Sequence, residues 1–126
     1  MLFMYDKELV IEILNQILTA GKRIERRAAN IGVPDDFLNS DDGIDMLDAI
    51  CMMLIAIGES LKYLDKLTNE KLLFQYPEVD WKGAKGVRDI LSHHYFDLNA
   101  DVVFTICKER IPLLLAAIRR MIDNQE

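Results

Sequence analysis

Histidine, cysteine, proline and tryptophan are scarce in this 126-residue chain: two, two, three and one residue. Each shortage excludes something. Cys51 and Cys107 sit inside apolar helical patterns without C-x-x-C spacing, so they are expected to be buried free thiols, not a disulfide or a zinc site. With two histidines, and Ile90 and Leu91 three residues before them where a di-iron bundle would need acids, no metal site is expected. Three prolines and six glycines leave little room for loops. There is no G-x-x-x-x-G-K-[ST] or G-x-G-x-x-G phosphate loop, and no spacing that supports a serine or cysteine triad.

Long apolar runs are missing too. The longest, "AICMMLIAIG" from Ala49 to Gly58, is far too short to cross a bilayer. At the start, "MLFMYDKEL" meets charge at Asp6, Lys7 and Glu8 before a signal-peptide core could form. The protein is therefore expected to be cytoplasmic, with no membrane partner. Basic charge is also short: the net charge of −6 argues against the usual nucleic-acid binder, which gains affinity by neutralising phosphates. Any nucleic-acid role needs a local basic patch.

Among the residues present, 51% are hydrophobic and 29% charged, as in a compact globule. Apolar positions recur at helical spacing in long segments. A first helix is expected from about Asp6 to Arg27, with Leu9, Ile13, Ile17, Ala20 and Ile24 on one stripe. The break "NIGVPDDFLNSDDG" follows. A second helix should run from near Asp41 to about Lys66, with Ile44, Leu47, Cys51, Leu54, Ile55, Gly58 and Leu61 facing inward. A short helical turn fits "LTNEKLLFQYPEVD", and Pro77 ends anything helical there. Asp80 is a suitable N-cap for a helix beginning at Trp81. A last segment, starting at Asp97 or Asn99, carries Val103, Ile106, Leu114, Ile118 and Met121, and Pro112 should kink or split it. No strand alternation or internal repeat is visible. The expected fold is all-α, an antiparallel up-and-down bundle of four to five helices in a single domain over residues 1–126.

Chemistry concentrates in "VRDILSHHYF", Val87 to Phe96. On a helix Trp81, Lys85, Arg88, Ser92 and Tyr95 share one face, whereas His93 leaves the helix roughly 140° away from Arg88. Either the helix unwinds so that the arginine reaches the imidazole, or a two-fold dimer brings residues of two copies into one cleft. The second is preferred. A guanidinium holds phosphate with its fork of donors, and an imidazole shuttles protons near neutrality, so the pair suits phosphodiester cleavage with the RNA 2′-hydroxyl as nucleophile. A blander use is open for each residue: a histidine complementing the helix dipole, an arginine in an ion pair, a tyrosine half-buried in packing. His94 reads as a solvent-facing neighbour. Gly83 and Gly86 read as close-packing positions.

The segment R-x-x-x-x-H-x-Y, with Arg88, His93 and Tyr95, resembles the signature of the HEPN superfamily and of its HepT-like toxin branch. "IGES" at Ile57 to Ser60, "YPEVDW" at Tyr76 to Trp81, the glycine two residues before Arg88, "HHYFDLN" and the Pro112 helix are similar to the HepT pattern in the same order, over about Ile44 to Ile122. The resemblance implies a dimeric helical bundle with no cofactor, and a metal-independent ribonuclease with Arg88 and His93 at the dimer cleft. It also implies a toxin role beside a minimal nucleotidyltransferase antitoxin, and modification of Tyr95 with AMP by that antitoxin. Carried over by position, Arg88 polarises the scissile phosphate, His93 is the acid/base and Tyr95 is the regulatory site. Glu59 either holds Arg88 through an ion pair or is a surface carboxylate; Lys85 and Ser92 are supporting candidates, Ser92 more as a donor to backbone carbonyl. "GKRIERR" at the end of the first helix extends a basic groove or serves the helix end. The alternative function is a non-catalytic helical dimer that docks a nucleotidyltransferase or senses nucleotide, and a purely structural bundle comes third.

Overall fold

The computed structural model describes residues 5–93 and 100–125, the side chains of Ser92 and His93 excepted. Helix α1 is Lys7–Ala28, α2 is Asp41–Thr68, α3 is the single turn Lys71–Phe74 and α4 is Trp81–His93. After the undescribed residues 94–99, α5 (Ala100–Thr105) passes through a π-helical turn (Ile106–Arg110) into α6 (Ile111–Gln125). Among the described residues no strand occurs. The chain has the all-α bundle architecture expected of it, although the beginning anticipated at Asp97 or Asn99 lies outside the described residues.

The helix starts are set by side-chain caps. Asp6 accepts from the Leu9 amide at 3.1 Å, Ser40 from Gly43 at 3.0 Å and Asp80 from Gly83 at 3.0 Å. Each contact satisfies a backbone donor that the first turn leaves without an intrahelical acceptor, typically contributing about 1 kcal/mol. At the other end of α1, Arg26 and Arg27 fall in the last turn, where cations complement the helix dipole. The Lys108 ammonium donates to the Ala28 carbonyl at 2.7 Å and ties that end to the π-turn. Helix α2 stops where Asn69 takes a left-handed backbone, φ 53°. Buried Thr68 then donates to the Leu64 carbonyl at 2.8 Å and accepts from the Leu72 amide, joining α2 to α3.

Pro112 breaks the last segment as expected, and a π-turn provides the break. Proline has no N–H to give, and its ring clashes with the carbonyl four residues back in α geometry. The wider turn, closed by the Ile111 amide on the Ile106 carbonyl, lies directly before it.

One hydrophobic core runs through the bundle. Val10, Leu14, Ile17 and Ile24 of α1 meet Ile50, Leu61 and Leu64 of α2 and Leu115, Ile118 and Met121 of α6, with Phe37 of the α1–α2 connection wholly buried among them. Each such side chain contributes about 1.5–3 kcal/mol by leaving water. Helices α1 and α6 run antiparallel: Lys108 meets Ala28 at one end, and the Tyr5 hydroxyl reaches Gln125 at the other. At their closest approach, a Cβ on Gly21 would lie 2.3 Å from Leu115 Cδ2. Both cysteines are buried free thiols, and burial pushes each up to about 11, so neither is a thiolate at neutral pH.

Two expectations fail. The apolar period puts Ile44 inward, but it is 41% exposed. Helix α2 has 28 residues and α4 has 13, and running antiparallel from the Glu59–Arg88 contact α4 ends short of the first turns of α2. Gly86 was read as a close-packing position, yet a Cβ there would meet nothing within 4 Å. At Gly83 the near neighbour is the capping carboxylate of Asp80, not another helix. The glycine that brings two helices together is Gly58, whose Cβ would stand 2.9 Å from the Ala84 carbonyl oxygen and 3.4 Å from Val87 Cγ1.

Candidate active site

Helix α4 packs on α2 through Val87 and Leu91, both buried. The turn before it is pinned by Tyr76, whose carbonyl accepts from the Trp81 indole at 2.8 Å and whose hydroxyl accepts from Asn124 at 2.7 Å. With α4 so anchored, Arg88 projects along the surface of α2. There its Nη1 donates to Glu59 Oε1 at 2.9 Å. The other oxygen, Oε2, faces the Lys62 ammonium at 3.1 Å. That oxygen lacks a partner meeting hydrogen-bond angles, so its contact with Lys62 is an ion pair of loose geometry.

Glu59 is thus the ion-pair partner, one of the two roles the sequence left open for it. The carboxyl is held below its ordinary value of 4.5, first by the Lys62 ammonium 3.1 Å away, then by the charge and hydrogen bond of Arg88, with desolvation opposing. The sign follows: a depressed carboxyl pKa keeps the pair intact at neutral pH, and the contact is lost only as pH falls through the depressed value. All three side chains are substantially exposed, so the network adds little to stability. Its effect is to aim the guanidinium. Among the described residues Glu59 is the hydrogen-bond partner of Arg88, whose guanidinium is a planar fork of donors.

Lys85 lies a turn nearer the start of α4 and binds the Asp65 carboxylate of α2. This bond fixes the two helices side by side. Asp65 gave no signal in the sequence, because a carboxylate on a long helix is ordinary until its neighbour is known. Ser92 and His93 occupy the last turn of α4, and their side chains lie outside the described residues. So do His94 and Tyr95. The backbone of α4 is helical through His93. Arg88 and His93 leave α4 about 140° apart.

Across α2 from α4, α1 contributes Arg23 to a cleft shared with Met53, Ala56 and Ser60. The "GKRIERR" stretch therefore flanks α2 on the side away from Arg88. Between α4 and α6 an apolar groove of about 210 Å³ opens, floored by Leu54 and Ile57 and edged by Ile90, Leu113 and Arg110. Among the described residues no group of three or more histidine, cysteine or acidic side chains is placed to hold a metal ion, and no helix is long and apolar enough to cross a membrane.

Residues 17–121 match the family described as Ribonuclease HepT-like, which takes in α4, its arginine and its terminal histidine. The chain belongs to the HepT-like ribonuclease family. A protein of Methanocaldococcus jannaschii named as a putative RNase is 35% identical over 78 residues, 62% of this chain and 61% of that one. The chain therefore spans about three fifths of that relative's length. A second M. jannaschii protein of the same description is 29% identical over 110 residues, 87% of this chain and 84% of its own. A third so described, from Caldanaerobacter subterraneus subsp. tengcongensis, is 31% identical over 78 residues, 62% of this chain and 66% of its own. No solved structure gives a significant match. HepT-like membership covers the helical core from mid-α1 to late α6, so the Arg88–Glu59 contact lies wholly inside the family's extent.

Proposed function

We propose that this chain is a metal-independent endoribonuclease acting as the toxin of a module paired with a minimal nucleotidyltransferase antitoxin. The observation that carries the reading is the cross-helix bond from Glu59 to Arg88, five residues before a histidine on an unbroken helix of a HepT-like ribonuclease. In this reading Arg88 grips a non-bridging oxygen of the scissile phosphate and offsets the charge that builds up in the transition state. The 2′-hydroxyl attacks phosphorus and its proton leaves to a base; the P–O5′ bond breaks and the 5′-oxygen takes up a proton. His93 is the group that moves a proton in this exchange. The products are a 2′,3′-cyclic phosphate and a free 5′-hydroxyl. Lys85 and Ser92 support the site from the same helix.

A homodimer suits this chemistry, because on an intact α4 the arginine and histidine of one copy diverge. Tyr95 is proposed as the site of AMP modification by the antitoxin. Added phosphates two residues beyond His93 would bring negative charge to the place meant for RNA. A second reading, a non-catalytic dimer that docks a nucleotidyltransferase or senses nucleotide, draws on the net charge of −6, which suits a protein partner better than a polyanion.

One experiment separates the readings. The purified protein is incubated in EDTA with an RNA oligonucleotide and its all-deoxy counterpart. Cleavage of the RNA alone, leaving cyclic-phosphate ends, is expected. An uncut RNA would favour the docking reading, and cleavage of the deoxy strand would reject the 2′-hydroxyl as nucleophile.

A further inference from the structure

With a net charge of −6, the chain can hold a polyanion only where cations gather locally. One such place adjoins the candidate active site. Two bonds fix α4 antiparallel on α2: Arg88 reaches Glu59, and Lys85, three residues earlier on α4, reaches Asp65, six residues later on α2. Lys62 and Lys66 lie along the α2 side of this seam. Glu59, Lys62 and Lys66 follow at spacings of three and four, so they occupy adjacent turns of one helix face over about 10 Å.

The seam carries more cations than carboxylates. Arg88 and Lys62 share the single carboxylate of Glu59, Lys85 takes that of Asp65, and Lys66 is exposed with no ion pair among the described residues. Asp89, the next residue after Arg88, leaves α4 about 100° further around the helix. Lys66 falls in the last turn of α2, where a cation also complements the helix dipole. That use does not extend to Lys62, a turn earlier. Between the two lysines in sequence stands Tyr63, 45% exposed and one turn beyond Glu59. An aromatic ring set among cations is the pattern with which proteins hold single-stranded nucleic acid: phosphates go to the cations and a base stacks on the ring.

We infer that the RNA strand held at Arg88 continues along this seam toward the C-terminal end of α2, with Lys62 and Lys66 binding phosphates beyond the scissile one and Tyr63 stacking on a base between them. This deepens the proposed ribonuclease reading and rests on it. Contacts to phosphates and to the face of a base carry little sequence information, so the seam positions the strand without choosing its sequence. The cations at the end of α1 are the rival track. Arg23 opens there on the cleft across α2 from α4, so a strand gripped by Arg88 would have to leave the seam and cross α2 to meet Lys22, Arg23, Arg26 and Arg27.

The test uses the full chain and a fluorescently labelled single-stranded 2′-O-methyl RNA, which has no free 2′-hydroxyl to attack phosphorus. Binding is read by fluorescence anisotropy in EDTA over a series of salt concentrations, for the wild type, Lys66→Gln, Tyr63→Ala and Arg26→Gln, with helicity and oligomeric state recorded for each. Lys62 is left intact because its ion pair with Glu59 bears on Arg88. Lys66→Gln is expected to lower affinity and to reduce the slope of log affinity against log salt by about 0.7, the counterion release of one phosphate contact on a single strand. Tyr63→Ala is expected to weaken binding about 5- to 100-fold with the slope kept, since stacking releases no counterion. Arg26→Gln should bind as the wild type does. No binding by the wild type, an unaltered slope in Lys66→Gln, undiminished affinity in Tyr63→Ala, or the reduced slope in Arg26→Gln would each overturn the inference. So would a change of oligomeric state in Lys66→Gln or Tyr63→Ala, which would assign the stripe to contact between proteins. Because the 2′-O-methyl strand cannot be cut, cleavage of ordinary RNA by the wild type is scored apart, and the seam can fail while the ribonuclease reading stands, or the reverse.

Discussion

Replacing Arg88 with alanine is expected to lower RNA cleavage by about 100- to 1,000-fold, the loss typical when one preorganised group that stabilises transition-state charge is removed. The fold should not follow it down. The Arg88 side chain is 54% exposed, and its bond to Glu59 is a surface ion pair. Stability is therefore expected to change by less than about 1 kcal/mol in chemical denaturation. Arg88→Lys should fall between, since an ammonium supplies the charge without the planar fork. Unaltered cleavage by Arg88→Ala would mean that the phosphate is held elsewhere, and the Glu59–Arg88 contact would then be an ordinary surface pair.

The second large effect belongs to Gly58, which is buried where α2 meets α4. Alanine there brings two opposed effects. It recovers about 1 kcal/mol of helix propensity, and it places a Cβ 2.9 Å from a backbone oxygen of α4, which must shift. Because the displaced atom is backbone, the steric cost is the larger and Gly58→Ala is expected to be mildly destabilising. Gly58→Leu adds a branched side chain where α4 already sits, with overpacking costs of about 1–3 kcal/mol. Because Glu59 is the next residue, a displaced α4 also takes Arg88 out of reach. Cleavage by Gly58→Leu should drop further than its unfolded fraction explains, a result read by measuring activity and denaturation on the same preparation. Retention of full activity would show that the α2–α4 spacing does not set the site.

Much of this arrangement was legible beforehand, for identifiable reasons. Asp80 announces a helix start because a short carboxylate ahead of an apolar period has one good use, the cap, and it performs it; Asp6, expected as the first residue of its helix, caps it in the same way. Pro112 announced a break, since no proline continues a regular helix, but it could not say that a π-turn would absorb it. Periodicity identified the core stripe of α2, yet it misplaced Ile44: a stripe gives the side of a helix and not how far a neighbouring helix extends along it. Gly58, Gly83 and Gly86 were indistinguishable as letters. Only the crossing point of α2 and α4 shows which one a side chain would block. The pairing of Glu59 with Arg88 spans 29 positions, and the sequence could offer it only as one of two uses. Lys85 was grouped with Arg88 by helical phase, while its actual partner, Asp65, belongs to a contact between helices that no local pattern encodes.

In the proposed ribonuclease an imidazole on the last turn of α4 and the guanidinium of Arg88 cut RNA without help from a metal ion. The most direct measurement is incubation of total RNA in EDTA with the purified wild type and with His93→Ala prepared identically and matched in helicity and oligomeric state. Cleavage by the wild type, falling by about 100- to 10,000-fold in His93→Ala, is the expected result for a lost general acid/base. Equal cleavage by both proteins, or none by either, would contradict it.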